Sequence, residues 1–296
     1  MTLRDILQSA IDSLTDARVP SPRLNAELLL MFTLGCDRAY LYAHPERQLT
    51  ADEQARYEQA LSQRSRGVPT QYITGHQEFW GMDFIVTPAV LIPRPETEHM
   101  IETVLELGHV EQGRATLRQA QGKLSHANRL RIVDVGTGSG CIALALAQEL
   151  PHAEIHATDI SPDALEIAEA NAARHQLASR IIFHDTDLLQ GLESSFFDFV
   201  VSNPPYVGES EADQVQLEVR KFEPRNAIFA GPTGLEVIEH LIPAARAALR
   251  PGGWLVMEIS GTIAAGVKSL LESWDCVQIK NDLQGIPRVA TAQKKV

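Results

Sequence analysis

LRIVDVGTGSGCIALALAQEL, residues 130–150, decides the fold. Residues 130–135 are mostly β-branched or apolar, which predicts a short strand. Gly136, Thr137, Gly138, Ser139 and Gly140 follow as a turn, and an apolar run from 140 to 150 predicts a helix. Glycines let the backbone turn tightly and approach a ligand closely. A helix N-terminus beyond such a turn is expected to offer unpaired N–H groups and the positive end of a dipole. A dinucleotide site would read G-x-G-x-x-G. Here the third glycine comes one residue early and Cys141 fills its place. That spacing suits a ligand with a carboxylate and no pyrophosphate; the alternative is a plain tight turn of an α/β sheet.

Downstream, strands are predicted at 154–158, 181–184 and 197–202, with a helix at 162–175 between the first two. A helix at 235–249, a strand at 253–259, a helix at 263–273 and two terminal strands complete the pattern. Alternation of this kind predicts a doubly wound, largely parallel α/β sheet. Its ligands belong beyond the carboxyl ends of the strands. Asp159 ends the second strand, where an acid accepts hydrogen bonds from ribose hydroxyls. Ser161 is placed to cap the next helix, which leaves Asp159 for the ligand. An acid here also disfavours a 2′-phosphorylated cofactor. After the third strand, Asp187 is positioned for an exocyclic amine and Leu188 for the face of an adenine. A solvated loop acid is the other reading of Asp187, and the simpler one for Asp185.

The fourth strand runs directly into Asn203-Pro204-Pro205-Tyr206. A carboxamide nitrogen is a poor nucleophile because its lone pair is delocalised, and its NH2 group has two hydrogens to direct. The Asn203 side-chain oxygen and the Pro204 carbonyl are the two acceptors. The prolines fix φ and hold the preceding residues out of the helical region. Tyr206 offers a flat face to the substrate amide or to a sulfonium charge. Orientation and electrostatics carry such a reaction without a strong base. Turn, acid and loop together predict methyl transfer from S-adenosylmethionine to a planar amide or amine nitrogen. The competing reading of the loop is a rigid Pro-Pro turn after a strand.

Upstream of the decisive stretch the pattern is helical. Ile6, Leu7, Ala10, Ile11 and Leu14 fall at helical spacing. Ser21-Pro22 reads as an N-cap with proline at the first helical position. Leu24, Leu28 and Met31 are expected on one face of the helix that follows. Thr50 and Glu53 form a capping box for a third helix running to about Arg66. Residues 71–90, broken by Gly75, Gly81 and Pro88, predict a short hairpin, and helical spacing resumes at 97–107. The polar stretch 108–128 reads as a surface insertion. The expected division is a helical domain at 1–66, a β-hairpin linker at 67–95 and the α/β domain at 96–296.

The chain has 296 residues, enough for two domains, and is 44% apolar and 22% charged, as an ordinary globular protein is. Its formal net charge of −12 disfavours a role in gripping phosphate backbones and suits a basic partner or a small substrate. Cys36, Cys141 and Cys276 are odd in number and far apart, which disfavours a disulfide framework or a zinc site. No metal is expected. Absence of a signal-like N-terminus and of a long apolar run predicts a cytoplasmic protein without a membrane partner. His76, His99, His156 and His240 are scattered and read as surface or core residues.

These residues closely resemble the HemK family, the protein-(glutamine-N5) methyltransferases that act on peptide chain release factors. The resemblance spans nearly the whole chain. Phe79-Trp80-Gly81, residues 91–98 (Leu-Ile-Pro-Arg-Pro-Glu-Thr-Glu), the 134–140 turn and the 203–206 loop carry it. So do Glu223-Pro224-Arg225, residues 231–235 (Gly-Pro-Thr-Gly-Leu) and residues 285–288 (Gly-Ile-Pro-Arg). The Asn-Pro-Pro-Tyr loop alone is shared with adenine-N6 DNA enzymes; the 91–98 segment and the last three motifs are more specific. The resemblance implies a seven-stranded class I, Rossmann-like methyltransferase domain behind a helical domain that helps dock a class I release factor. It implies S-adenosylmethionine held by residues 136–140, Asp159, Leu188 and Asn203, and the glutamine of a Gly-Gly-Gln tip held by residues 203–206. Arg94 and Glu96 would stand at the mouth of the site; a plain ion pair in the linker is the alternative. The family usually continues Glu-Ile-Gly where this chain has Glu258-Ile259-Ser260, and residues 108–128 are longer than usual.

Three rivals remain at the level of sequence. A DNA adenine-N6 methyltransferase needs a flipped base and a basic groove, which the acidic total disfavours. A ribosomal-protein glutamine as substrate is poorly separated from a release factor. A non-catalytic cofactor-binding scaffold is opposed by the intact 203–206 loop.

Overall fold

The structure is a computed structural model that describes residues 1–120 and 129–296, with the backbone alone for 110–120. Residues 121–128 of the expected insertion lie outside the described residues. The chain divides into two units, residues 1–76 with 215–222, and residues 77–214 with 223–296.

The first unit holds α1 (Leu3–Asp16), α2 (Pro22–Leu34), α3 (Arg38–Ala43), α4 (Ala51–Ser65) and α5 (Thr70–Thr74). Leu3, Ile6, Ala10 and Leu14 of α1 pack against Ala26, Leu29 and Leu30 of α2 and Tyr57 and Ala60 of α4. The capping box of α4 is formed: Glu53 N–H donates to Thr50 Oγ1 at 3.2 Å and Thr50 N–H to Glu53 Oε2 at 2.9 Å. α2 begins where expected, with Ser21 at the N-cap and Pro22 opening the helix, but two of its details could not be read from sequence. Ser21 holds the N-cap position in a left-handed conformation (φ 49°) and its side chain caps nothing. Capping needs the extended backbone that aims the hydroxyl at the first free N–H groups. The buried face is also a different one, since Ala26, Leu29, Leu30 and Thr33 are buried while Leu24 is exposed. The helix is apolar nearly all round, so two stripes at helical spacing compete and the pattern alone does not choose.

The second unit opens with the hairpin β1 (His76–Phe79) and β2 (Met82–Ile85). Trp80 and Gly81 both have positive φ (53° and 68°), the two-residue turn whose twist matches the strands. The hairpin is shorter than expected because residues 70–74 form α5. Next come α6 (Glu98–Ala120), β3 (Arg131–Val135), α7 (Cys141–Glu149), β4 (Glu154–Asp159), α8 (Pro162–Arg174), β5 (Ile181–Asp185) and β6 (Phe197–Ser202). α6 continues through Ala120, so the first part of the stretch read as an insertion is helical. After β7 (Val207–Gly208) lies α9 (Leu217–Phe222), which clusters with the first unit. β8 (Phe229–Gly231), α10 (Glu236–Ala248), β9 (Leu249–Glu258), α11 (Ala264–Leu270), β10 (Asp275–Asn281) and β11 (Pro287–Gln293) follow.

Seven strands form one mixed sheet in the order β10-β11-β9-β6-β3-β4-β5. β3 pairs in parallel with both β4 and β6, while β11 lies antiparallel to β9 and to β10. Central strands are covered on both faces and are therefore almost wholly apolar. Ile132, Phe199, Val201 and Val256 face a core built with α6 and α7, and Val133, Val200, Leu255 and Met257 face one built with α10 and α11. Register sets the position of the site. Val135 at the end of β3 pairs with Thr158 on one side and Ser202 on the other. The residues after β3, β4 and β6 thus emerge together, where the strand order reverses.

Candidate active site

A cavity of about 280 Å³ opens at that edge, within the second unit. Its lining includes Gly136, Thr137, Gly138, Ser139, Asp159, Asp187, Leu188, Asn203, Pro204 and Pro205 of the residues singled out from sequence; Gly140 and Tyr206 are not part of it.

The turn is built for two different purposes. Gly136 and Gly138 have positive φ (71° and 54°), and a Cβ at either would meet nothing within 4 Å. Their need for glycine is conformational, and the space beside them is open to the cavity. Gly140 also has positive φ (82°), but a Cβ there would stand 2.8 Å from Leu144 Cδ1 and 3.2 Å from Ala168 Cβ. It is a packing glycine that lets α7 approach α8. The N–H groups of Gly136 and Thr137 both reach the Thr158 carbonyl at 2.9 Å, and that of Gly140 reaches the Thr137 carbonyl at 2.8 Å. The donors expected to serve a ligand carboxylate are therefore engaged within the protein at these positions.

Asp159 is likewise tied. Its Oδ2 accepts from Gly138 N–H at 2.8 Å and its Oδ1 from Ser161 N–H at 2.9 Å, so it braces the turn as well as lining the cavity. Ser161 also caps α8 through its hydroxyl, as expected. Burial holds the Asp159 carboxyl above its ordinary range, against the lowering effect of those two N–H bonds. Each oxygen keeps a second lone pair for a hydroxyl. Beside it the Thr158 hydroxyl is buried and unpartnered on the cavity wall. Asp187 accepts from Gln190 Nε2 at 3.3 Å, and Leu188, in a left-handed conformation (φ 51°), lines the same wall.

Behind the turn, Asp134 is fully buried. Its Oδ2 accepts from Thr137 Oγ1 at 2.7 Å and from Ala143 N–H at 3.2 Å, and its Oδ1 has no partner. Burial pushes its carboxyl up to about 7. Asp134 stitches the turn to α7. A charged residue inside an otherwise apolar buried strand was the available signal, and sequence reading gave it no role.

The 203–206 loop is organised by residues far away in sequence. Asn203 Nδ2 lies 3.3 Å from Thr97 Oγ1. Thr97 Oγ1 donates to Glu258 Oε2 at 2.6 Å, and Tyr206 Oη donates to Glu258 Oε1 at 3.0 Å. Because the Thr97 hydroxyl proton goes to Glu258, its oxygen accepts from Asn203; the amide group of Asn203 points inward and its carbonyl oxygen is the free end. Tyr206 is not part of the cavity lining, and through its hydroxyl it anchors the loop to Glu258. Burial raises the Tyr206 hydroxyl above its ordinary range, and the neighbouring Glu258 adds to the rise. Burial also raises the Glu258 carboxyl, opposed by the bonds from Thr97 and Tyr206 and by Arg288.

The segment read as a linker is also part of the site, since Val90, Ile92 and Arg94 line the cavity, and Thr97, just beyond it, does so too. Arg94 is paired with the buried Glu223, whose other oxygen accepts from Ile92 N–H at 3.1 Å. Glu96 is not part of the cavity lining. Thr97, Glu223 and Glu258 were all inside quoted motifs, yet no local pattern reports a contact made across more than 100 residues.

The donor set fits S-adenosylmethionine. Asp159 and Asp187 supply acceptors, Thr158 an unused hydroxyl, Leu188 an apolar face and the glycine turn unfilled space. The cavity volume is near the lower end of the range usual for small-molecule sites, roughly 300–1,000 Å³. Among the described residues no cluster of ligating side chains is arranged for a metal ion.

Two family models match the chain, a PrmC N-terminal domain over residues 5–75 and a methyltransferase small domain over residues 107–221. A release factor glutamine methyltransferase of Koribacter versatilis is 53% identical over 295 residues, covering 99% of each chain. One of Moorella thermoacetica is 42% identical over 270 residues, covering 91% of this chain and 89% of its own. Among solved structures, the hMettl16 catalytic domain in complex with MAT2A 3'UTR hairpin 6 superposes with a TM-score of 0.56 at 18% identity, covering 88% of this chain and 93% of that one. That likeness establishes the fold alone.

Proposed function

This chain belongs to the release factor glutamine methyltransferases, and from that premise we propose that it methylates the side-chain nitrogen (N5) of the glutamine in the Gly-Gly-Gln tip of class I peptide chain release factors. The observation that carries the reading is the orientation of Asn203. Its NH2 group is engaged by Thr97, which leaves the side-chain oxygen as the acceptor that Asn203 brings to a cavity also lined by Pro204. Two acceptors held on a proline-stiffened backbone match the two hydrogens of a carboxamide NH2.

In this reading residues 136–139, Asp159, Asp187 and Leu188 hold S-adenosylmethionine. When bound, it supplies an electrophilic methyl group on a sulfonium, with a neutral thioether as leaving group. Asn203 Oδ1 and the Pro204 carbonyl each accept one amide hydrogen and aim the face of the nitrogen lobe. Pro205 keeps that carbonyl in place, and Tyr206 fastens the loop to Glu258. As the N–CH3 bond forms and the C–S bond breaks, the amide nitrogen becomes cationic; that N-alkylated cation is a strong acid, and it loses one of its two protons to water without a dedicated base. Orientation and fixed dipoles supply the rate enhancement.

The helical segment 1–66 serves as the docking domain for the release factor, and the acidic total suits a factor with a basic surface. No stable nucleic-acid binding and no membrane role are part of the proposal. Among the described residues no helix is long and apolar enough to cross a membrane. The protein works in the cytoplasm, where its substrate does. Incubation with methyl-labelled S-adenosylmethionine and a mixture of purified class I release factors and ribosomal proteins, followed by mass spectrometric mapping, tests the assignment. The label is expected on the Gly-Gly-Gln glutamine; label on a ribosomal protein and none on the factors would overturn it.

A further inference from the structure

Behind the Asn203 side chain lie two buried residues, Thr97 and Glu258. A carboxamide has a donor end and an acceptor end of nearly the same shape, and it turns over freely unless a neighbour discriminates between them. Only the acceptor end serves an incoming NH2 group. Thr97 is that neighbour, but a hydroxyl is itself ambiguous, because it donates or accepts as required. Glu258 removes the ambiguity. Both of its oxygens act as acceptors, Oε2 from Thr97 and Oε1 from Tyr206, so the Thr97 proton points to Glu258 at 2.6 Å and its lone pair is left for Asn203 Nδ2 at 3.3 Å. Both residues are buried, each only 2% exposed, so water does not compete for these bonds. The second carboxylate oxygen receives Tyr206 at 3.0 Å, three residues beyond Asn203. One side chain thus fastens the far end of the loop and orients the amide at its near end.

We propose that Glu258 and Thr97 are positioning residues that together fix which end of the Asn203 carboxamide faces the substrate. The inference rests on the functional reading above for what the oriented oxygen does, but the orientation itself is a property of the free protein. Within the relay, Thr97 needs only its hydroxyl. Serine keeps that group, while valine keeps the shape and removes it.

Thr97→Val is expected to lower kcat for release-factor methylation about tenfold, the scale of one lost hydrogen bond. KM for the factor and affinity for S-adenosylmethionine should stay within about twofold, since neither depends on the amide polarity. Thr97→Ser should restore most of the rate. Residues that act as one unit lose activity non-additively. In an Asn203→Ala background, adding Thr97→Val should therefore change kcat by less than about twofold. Multiplied losses in the double variant, or a Thr97→Val enzyme of normal kcat, would overturn the inference. Melting curves of each variant separate a folding defect from a polarity defect.

A readout that needs no substrate keeps the two levels apart. The Asn203 side-chain ¹⁵NH₂ resonances, assigned by their loss in Asn203→Ala, should shift in Thr97→Val and in Glu258→Gln and stay in place in Thr97→Ser. Unmoved resonances in the first two variants would overturn the positioning role. Shifted resonances in an enzyme that fails to methylate any release factor would overturn the functional reading and leave the relay standing.

Discussion

The glycine turn after β3 and the proline loop after β6 leave the same sheet edge on neighbouring strands, yet they are held in shape by different means. The turn is held by its own residues together with the adjacent strand β4, through Thr158 and Asp159. Its N–H groups close on the Thr137 and Thr158 carbonyls, Asp134 gathers Thr137 and Ala143, and positive φ at three glycines does the rest. The loop is stiff in its backbone, but its polar ends are fastened from outside. Thr97 lies 106 residues before Asn203, and Glu258 lies 52 residues after Tyr206. A binding surface can therefore be held locally, whereas a reacting contact that must present one atom and not its near twin needs a second layer behind it.

The sharpest way to break this contrast is Asn203→Ala. If the loop does the chemistry and the turn does the binding, turnover should fall by roughly 10²-fold or more, the scale for one preorganised polar contact. Affinity for S-adenosylmethionine, measured by calorimetry, should change far less. Near-normal turnover would remove the loop from the mechanism, and an equal loss of cofactor affinity would merge the two regions into one.

A smaller effect is expected at Gly140, and it should appear in stability. Alanine there is strained by its left-handed backbone and meets Ala168 Cβ at 3.2 Å on a neighbouring helix. Backbone strain and overpacking together should destabilise the second unit by about 2–3 kcal/mol. Gly136→Ala has open space around the new methyl group and should show the backbone part alone, about 1–2 kcal/mol. Denaturant titration of both variants tests the difference. Equal losses would mean that Gly140 serves the turn in the same way as Gly136, and that close helix packing has no part in it.

This contrast also explains what the sequence disclosed. The alternating pattern from residue 130 onward predicted five parallel strands and two terminal ones, because buried strands and amphipathic helices write their period locally. Glycines and prolines marked the turn and the loop for the same reason. The partners of Asn203 and Tyr206 stayed hidden, since a hydrogen bond across 106 residues leaves no periodic trace. The bonds that tie Asp159 to Gly138 and Ser161 are invisible in the sequence because a backbone N–H partner carries no residue identity. Which face of α2 is buried is equally hidden, because a largely apolar helix offers two. Residues 89–95 fall in the expected linker because proline-broken, extended backbone looks the same whether it spans solvent or lines a cavity.

Asp134 offers the subtlest test of the claim that the turn is held locally. Its carboxyl is buried with one oxygen unpartnered, and burial raises it from an ordinary 3.8 to about 7. A carboxyl raised by folding is protonated more readily in the folded chain than in the unfolded one. Its favourable contribution is full below about pH 4 and is lost as pH climbs through about 7, at roughly 1 kcal/mol per pH unit in between. In an Asp134→Asn variant the side chain would not titrate, yet its oxygen can still accept from Thr137 and Ala143. Asp159 shares the direction of shift but is present in both proteins, so the difference between wild type and Asp134→Asn isolates Asp134. That difference in unfolding free energy should grow in favour of the asparagine variant from pH 5 to pH 7 and then level off. A difference independent of pH would mean that Asp134 is ionised throughout. The turn would then depend on a counter-charge or donor supplied from elsewhere, and the distinction between a locally held turn and an externally held loop would be lost.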